Sequence, residues 1–163
     1  MTLASWEAKG WVRKSSTRKQ EILELLDNAE CDLMDARREF PAEWRFGLAF
    51  TAALNLCTIY LQASGYHADN ESHLKAIHAL PLILGDDHKA DADYLESCFV
   101  LRNQKKSDQS TSITPQQASK LVYFVEDLYL QTCEWLRSSE SGLIVNSDVS
   151  SVWATVDQEG LVL

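Results

Sequence analysis

The chain has 163 residues, of which 45% are apolar and 24% charged, and its formal net charge is −9. That composition supplies a core for one domain and excludes wholesale disorder. The negative total argues against a protein that coats nucleic acid by bulk electrostatics. Residues 1–10 include Trp6, Glu7 and Lys9 and hold no apolar core of signal-peptide length. Ile22, Leu25, Leu26, Ala29, Leu33, Ala36 and Phe40 then recur at three- and four-residue steps, which predicts a helix over 17–39 with one apolar stripe. Ser16 or Thr17 is the expected cap, with Gln20 or Glu21 as its capping-box partner. Leu23 and Met34 form a weaker second flank that a neighbouring chain could cover.

Pro41 suits the first turn of a second helix over 42–64. Apolar residues cover most of its circumference, leaving one uncharged polar strip of Thr51, Asn55, Thr58 and Gln62. Such a helix must be surrounded by others, so it is the predicted central helix. Residues 46–68 lack any Lys, Arg, Asp or Glu, but a lipid-facing helix would bury those amides and hydroxyls together with His67. A soluble, cytoplasmic protein without a membrane partner is therefore expected. Gly65 stops the helix as a left-handed cap.

A shorter helix over 72–84 carries Leu74, Ile77 and His78 on one face, bends or ends near Pro81, and closes at Gly85. The next helix opens among Asp86 and Asp87 and buries Ala92, Leu95, Cys98 and Phe99. Thr114 and Pro115 start a last helix that runs to about residue 137, with Leu121, Val125, Leu128, Thr132 and Trp135 as its stripe. No strand-like alternation and no internal repeat stand out. The prediction is all-α: an antiparallel up-and-down bundle of four long helices plus one short helix over residues 1–138. A Ser-rich tail, 139–163, follows, in which Val149, Val152, Trp153 and Val156 are spaced like a short docking helix.

The chemistry-bearing residues narrow the function. Cys31, Cys57, Cys98 and Cys133 form no C-x-x-C pair and read as packed thiols, with Cys31 off its helix's main stripe. His73 and His78 are not spaced as a ligand pair on one helix face, and His78 beside Leu74 and Ile77 reads as a core histidine. No metal and no cofactor is expected. A nucleophile elbow and a phosphate-cradling glycine loop are both absent, which excludes the common hydrolase, kinase and Rossmann readings. Arg102 is the most informative residue. It follows Leu95, Cys98 and Phe99 on the apolar stripe, and a guanidinium cannot shed its charge, so it needs a carboxylate, a carbonyl or a ligand anion. Asn103, Lys105 and Lys106 stand beside it, and these four are the candidate phosphate-binding residues. A second basic group, Lys9, Arg13, Lys14, Arg18 and Lys19, has no acid between Ala8 and Gln20, whereas 107–163 is strongly acidic.

Several segments together resemble a bacterial branch of the HEPN superfamily. These are Glu21 and Ile22 through Leu26 with Ala29, Asp32, Leu33, Asp35 and Ala36; Trp44, Arg45 and Phe46; Ala49 through Leu54; Ala63 through Tyr66; His73 with the Ala76 to Leu80 run; and Arg102 with Asn103. The resemblance implies an antiparallel bundle that often dimerises, with the signature arginines near a shared cleft. It also implies RNA-cleaving toxins or RNA-associated factors, some partnered by a minimal nucleotidyltransferase, in mobile and defence-related gene neighbourhoods. This chain departs from the nuclease pattern. Ser107 stands where the branch carries tyrosine, Leu101 where a basic residue is usual, and no histidine follows His88. Metal-free RNA cleavage needs one group to take the 2′-hydroxyl proton and another to protonate the leaving oxygen, and serine does neither well. The expectation is a non-catalytic homodimer that binds an RNA or nucleotide phosphate, or a partner protein. The alternatives are a metal-independent endoribonuclease in which His73 or His78 serves Arg102, and a protein-interaction module using Leu23, Met34 and the tail.

Overall fold

The computed structural model describes residues 2–68, 73–107 and 113–138, with the side chains of 73 and 105–107 excepted. The predicted tail, 139–163, lies outside the described residues. The architecture is all-α: six helices packed against one another, with a single two-stranded ribbon. In chain order these are α1 (Leu3–Ala8), β1 (Val12–Lys14), α2 (Lys19–Ala36), α3 (Ala42–Ala63), β2 (Tyr66–Ala68), α4 (His73–Leu84), a 3₁₀ turn (Asp86–His88), α5 (Lys89–Ser107) and α6 (Pro115–Arg137).

The central position falls to α3, as its composition demands. Phe46, Ala49, Phe50, Ala52, Ala53, Leu56, Cys57, Ile59, Tyr60 and Leu61 are all buried. Helices α2, α4, α5 and α6 each pack on it. Its polar strip points outward: Thr51 is exposed, Asn55, Thr58 and Gln62 are partly so, and the Thr58 hydroxyl donates to the Leu54 carbonyl at 2.8 Å. By length and composition α3 could cross a bilayer, with a mean hydropathy of 1.4, and 56% of that window is buried inside the protein.

The stripes seen in sequence are the faces that α3 receives. Ile22, Leu26, Ala29, Leu33 and Ala36 are buried along α2, and Leu121, Val125, Leu128 and Thr132 along α6. Thr114 caps α6 as expected: its hydroxyl accepts from the Gln117 amide at 3.1 Å, and the Gln117 side chain accepts from the Thr114 amide at 2.9 Å, with Pro115 following. The start of α2 differs from expectation. Neither Ser16 nor Thr17 caps it; Arg18 holds the cap position without a side-chain bond to the backbone and pairs with Glu21 at 3.2 Å instead. Helix α4 runs through Pro81 to Leu84 rather than ending there.

The largest departure is at the N-terminus, where periodicity predicts neither a strand nor a helix. Thr2 and Ser5 form a capping box that starts α1, and Gly10, at φ 75°, turns the chain into β1. There Val12, Arg13 and Lys14 pair antiparallel with Ala68, His67 and Tyr66. Gly65, at φ 92°, provides the matching turn out of α3, and its carbonyl accepts from the Ser15 amide at 2.9 Å. The ribbon is too short for an alternation pattern, and its partners are distant in sequence, so periodicity could not reveal it. It exists because Trp6, Val12, Leu61 and Ala79 close a small second core between α1, the ribbon, α3 and α4.

Trp6 is the anchor of that second core, and its indole N–H is buried without a hydrogen-bond partner. Trp6→Ala is expected to cost about 3 kcal/mol in urea unfolding. Trp6→Phe, which removes the orphaned N–H while keeping a ring, should cost less than half of that. Equal losses for the two variants would contradict this packing.

Candidate functional site

Four partly buried arginines face the bundle, and the structure treats them differently; Arg137, at the end of α6, donates from Nη2 to Glu134 at 2.9 Å. Arg37, just past the end of α2, forms a close ion pair through Nε with Glu126 on α6. Arg45, on α3, donates from Nε to the Ala36 carbonyl at 2.8 Å and from Nη1 to the Ser119 hydroxyl at 3.3 Å. Both therefore tie helices together. Arg102 sits on α5 where the sequence places it, one turn past the buried Cys98 and beside the partly buried Phe99. Its guanidinium lies over the Phe50 ring of α3, 5.3 Å from the centroid. Among the described residues no carboxylate forms an ion pair with it. A ring face orients a guanidinium and leaves its five N–H groups at the edge free to meet an anion.

The neighbours predicted for Arg102 divide. Asn103 is exposed beside it. Lys105 and Lys106 continue the backbone of α5, and their side chains lie outside the described residues. His78 is not a core histidine. Its side chain is 39% exposed, and Nε2 lies 3.4 Å from Glu96 Oε2 on α5, because α4 turns that edge toward the α5 surface rather than toward α3. This contact joins α4 to α5. His73 is the first residue of α4. Of the other histidines, His67 is exposed on the ribbon, and His88 Nδ1 lies 3.0 Å from Asp91. Among the described residues no group of three metal-ligating side chains comes together.

Among the described residues two surface grooves are formed that Arg102 does not line. One, of about 590 Å³, lies at the C-terminal end of α6 between Tyr60, Leu84, His88, Leu130, Trp135 and Arg137. The Tyr60 hydroxyl and the Arg137 Nε are buried there without hydrogen-bond partners. The other, of about 500 Å³, lies where the ribbon leaves α3, between Lys14, Ser15, Ser16, Ser64, Gly65 and Tyr66. Sequence reasoning missed both, since each joins segments far apart in the chain. The run of cations without acids before Gln20 was the one available signal for the second.

No thiol is poised as a nucleophile. Burial pushes Cys57 up to about 12 and Cys133 up to about 11, and it raises Cys98 as well. Cys31 is exposed, as its place off the stripe suggested, and is raised by partial burial and then by Asp27, Glu30, Asp32 and Asp35. Glu30 is itself raised by burial, opposed by a bond from the Tyr129 hydroxyl at 3.2 Å. A thiol reagent should therefore label Cys31 alone in the native protein, at a rate still climbing above pH 9, since the thiolate forms only as pH passes its raised pKa. Rapid labelling that levels off near neutral pH would contradict this. Comparison with protein-family models, curated proteins and solved structures finds no match to this chain.

Proposed function

We propose that this chain is a HEPN-like, non-catalytic binding protein for an RNA or nucleotide phosphate, acting as a cytoplasmic homodimer of the toxin–antitoxin or mobile-element-associated kind. One observation carries the reading. Of the four partly buried arginines, Arg102 alone rests on an aromatic face, while Arg37, Arg45 and Arg137 bond carboxylate, carbonyl or hydroxyl partners. A permanent charge held on a ring face, flanked by the exposed Asn103, can take two phosphate oxygens at once. Serine at position 107, where the motif tyrosine would stand, and the lack of any histidine after His88 speak for holding a phosphate rather than cleaving its ester.

Arg102→Ala should weaken binding of a labelled single-stranded RNA by roughly tenfold or more, the loss of about one charge-assisted contact. It should leave the helical circular dichroism unchanged, because no helix depends on that guanidinium for a partner. Wild-type protein without affinity for RNA or nucleotides would overturn the reading, as would an Arg102→Ala variant that binds as wild type does.

The second reading is a metal-independent endoribonuclease in which His73, at the start of α4, supplies the proton-transfer group that the segment after Arg102 lacks. RNA cleavage in the presence of EDTA, lost in His73→Ala, would establish it over the binding role. Intact RNA after prolonged incubation with wild-type protein would dismiss it.

A further inference from the structure

The basic group before Gln20 takes no part in the Arg102 reading, yet the fold gathers it. β1 carries Arg13 opposite His67 and Lys14 opposite Tyr66. Just before the strand, Trp11 holds the ammonium groups of Lys9 and Lys75 over its ring, at 4.6 and 3.8 Å from the centroid. Just after it, Lys14, Ser15 and Ser16 form one wall of the groove whose other wall is Ser64, Gly65 and Tyr66. That groove therefore presents an ammonium, three serine hydroxyls and a tyrosine, with an exposed imidazole on the adjoining ribbon.

The groove's lining carries one ammonium, Lys14, and no carboxylate, despite the chain's net charge of −9. The antiparallel neighbours α2 and α3 end side by side here, so the amide pole of one offsets the carbonyl pole of the other. What remains is the ammonium of Lys14 in the groove, with those of Lys9 and Lys75 on Trp11 beside the ribbon. An amine with several hydroxyls suits phosphate oxygens, and an open groove continued by lysines on an aromatic surface suits a chain that passes across it better than an enclosed small molecule.

We infer that the β1–β2 ribbon and its groove are a second phosphate-binding surface, which takes the phosphodiester backbone of a single-stranded nucleic acid. Lys14, Ser16 and Ser64 grip one phosphate, and Lys9 and Lys75 meet the strand further along. The surface is separate from Arg102: from Phe50, under Arg102, to Ala63, at the groove, α3 rises about 20 Å. It stands or falls independently of the Arg102 reading.

The test uses the full chain and a short labelled single-stranded RNA, with affinity measured by fluorescence anisotropy from about 50 to 200 mM salt. Wild-type protein should bind with a steep salt dependence. Lys14→Ala should weaken binding about fivefold and reduce the salt slope by about 0.7, the contribution of one phosphate contact on a single strand. The Ser16→Ala and Ser64→Ala pair should weaken binding with little change of slope, since neutral donors release no counterions. These side chains are exposed or half-exposed, so folding, checked by circular dichroism, should be preserved. Affinity and slope unchanged in Lys14→Ala would overturn the surface. Loss confined to Arg102→Ala would do so too and leave the Arg102 reading standing, whereas loss confined to the Lys14 and serine variants would do the reverse. A mononucleotide or inorganic phosphate that competes as well as RNA, at equal phosphate concentration, would contradict the strand and assign the groove to a small phosphate compound.

Discussion

α3 has too little polar surface to meet water on more than one strip, and this governs the rest of the molecule. Phe46, Phe50, Leu56, Ile59 and Tyr60 leave the helix in different directions, and all are fully enclosed. Enclosure on so many sides requires several neighbours, and α2, α4, α5 and α6 supply it with their own apolar stripes. Burying each such side chain is worth about 1.5–3 kcal/mol against leaving it in water. Rotating any outer helix would expose its stripe and uncover α3 together. The positions of the charged residues follow from that arrangement, because a stripe that must reach α3 carries whatever residue stands at its end toward the core.

This is how Arg102 comes to lie on Phe50. The α5 stripe runs through Leu95, Cys98 and Phe99 and continues to a guanidinium, which meets the last aromatic ring of the α3 surface it covers. Arg37 and Arg45 arrive at comparable depth but find Glu126, the Ala36 carbonyl and Ser119. The contrast separates arginines that join helices through hydrogen bonds from one held by a ring face. The N-terminal ribbon repeats the pattern on a smaller scale: Trp6 and Val12 close a minor core, and Lys9, Lys75 and Lys14 are left around it on the outside.

Much of the fold was legible in the sequence because it rests on periodicity. The stripes of α2 and α6, the polar strip of α3, the Thr114–Pro115 start and the Gly65 stop are local signals, and each is found where expected. What escaped depends on distance. Val12 pairs with Ala68, and Trp6 meets Leu61 and Ala79, through contacts that no window of neighbouring residues contains. His78 departs from its sequence expectation for a related reason. Its spacing from Leu74 and Ile77 is that of a buried face, but α5 presents Glu96 at that edge, and a carboxylate holds an imidazole at the surface. For the candidate site, the depth of Arg102 was readable from its stripe, whereas the ring beneath it was not. Nor were the two grooves, which are made by segments that meet only in the folded chain.

The account turns on the Arg102 side chain being held by Phe50 and left available to an anion. Its Nε–Hε resonance in a ¹⁵N-labelled sample reports this directly. On titration with single-stranded RNA the account predicts a saturable shift of that one signal, at the concentrations that saturate overall binding, while the Nε signals of Arg37 and Arg45 stay in place. An Arg102 signal that remains fixed throughout, or that already bears the signature of a closed ion pair in the free protein, would contradict it.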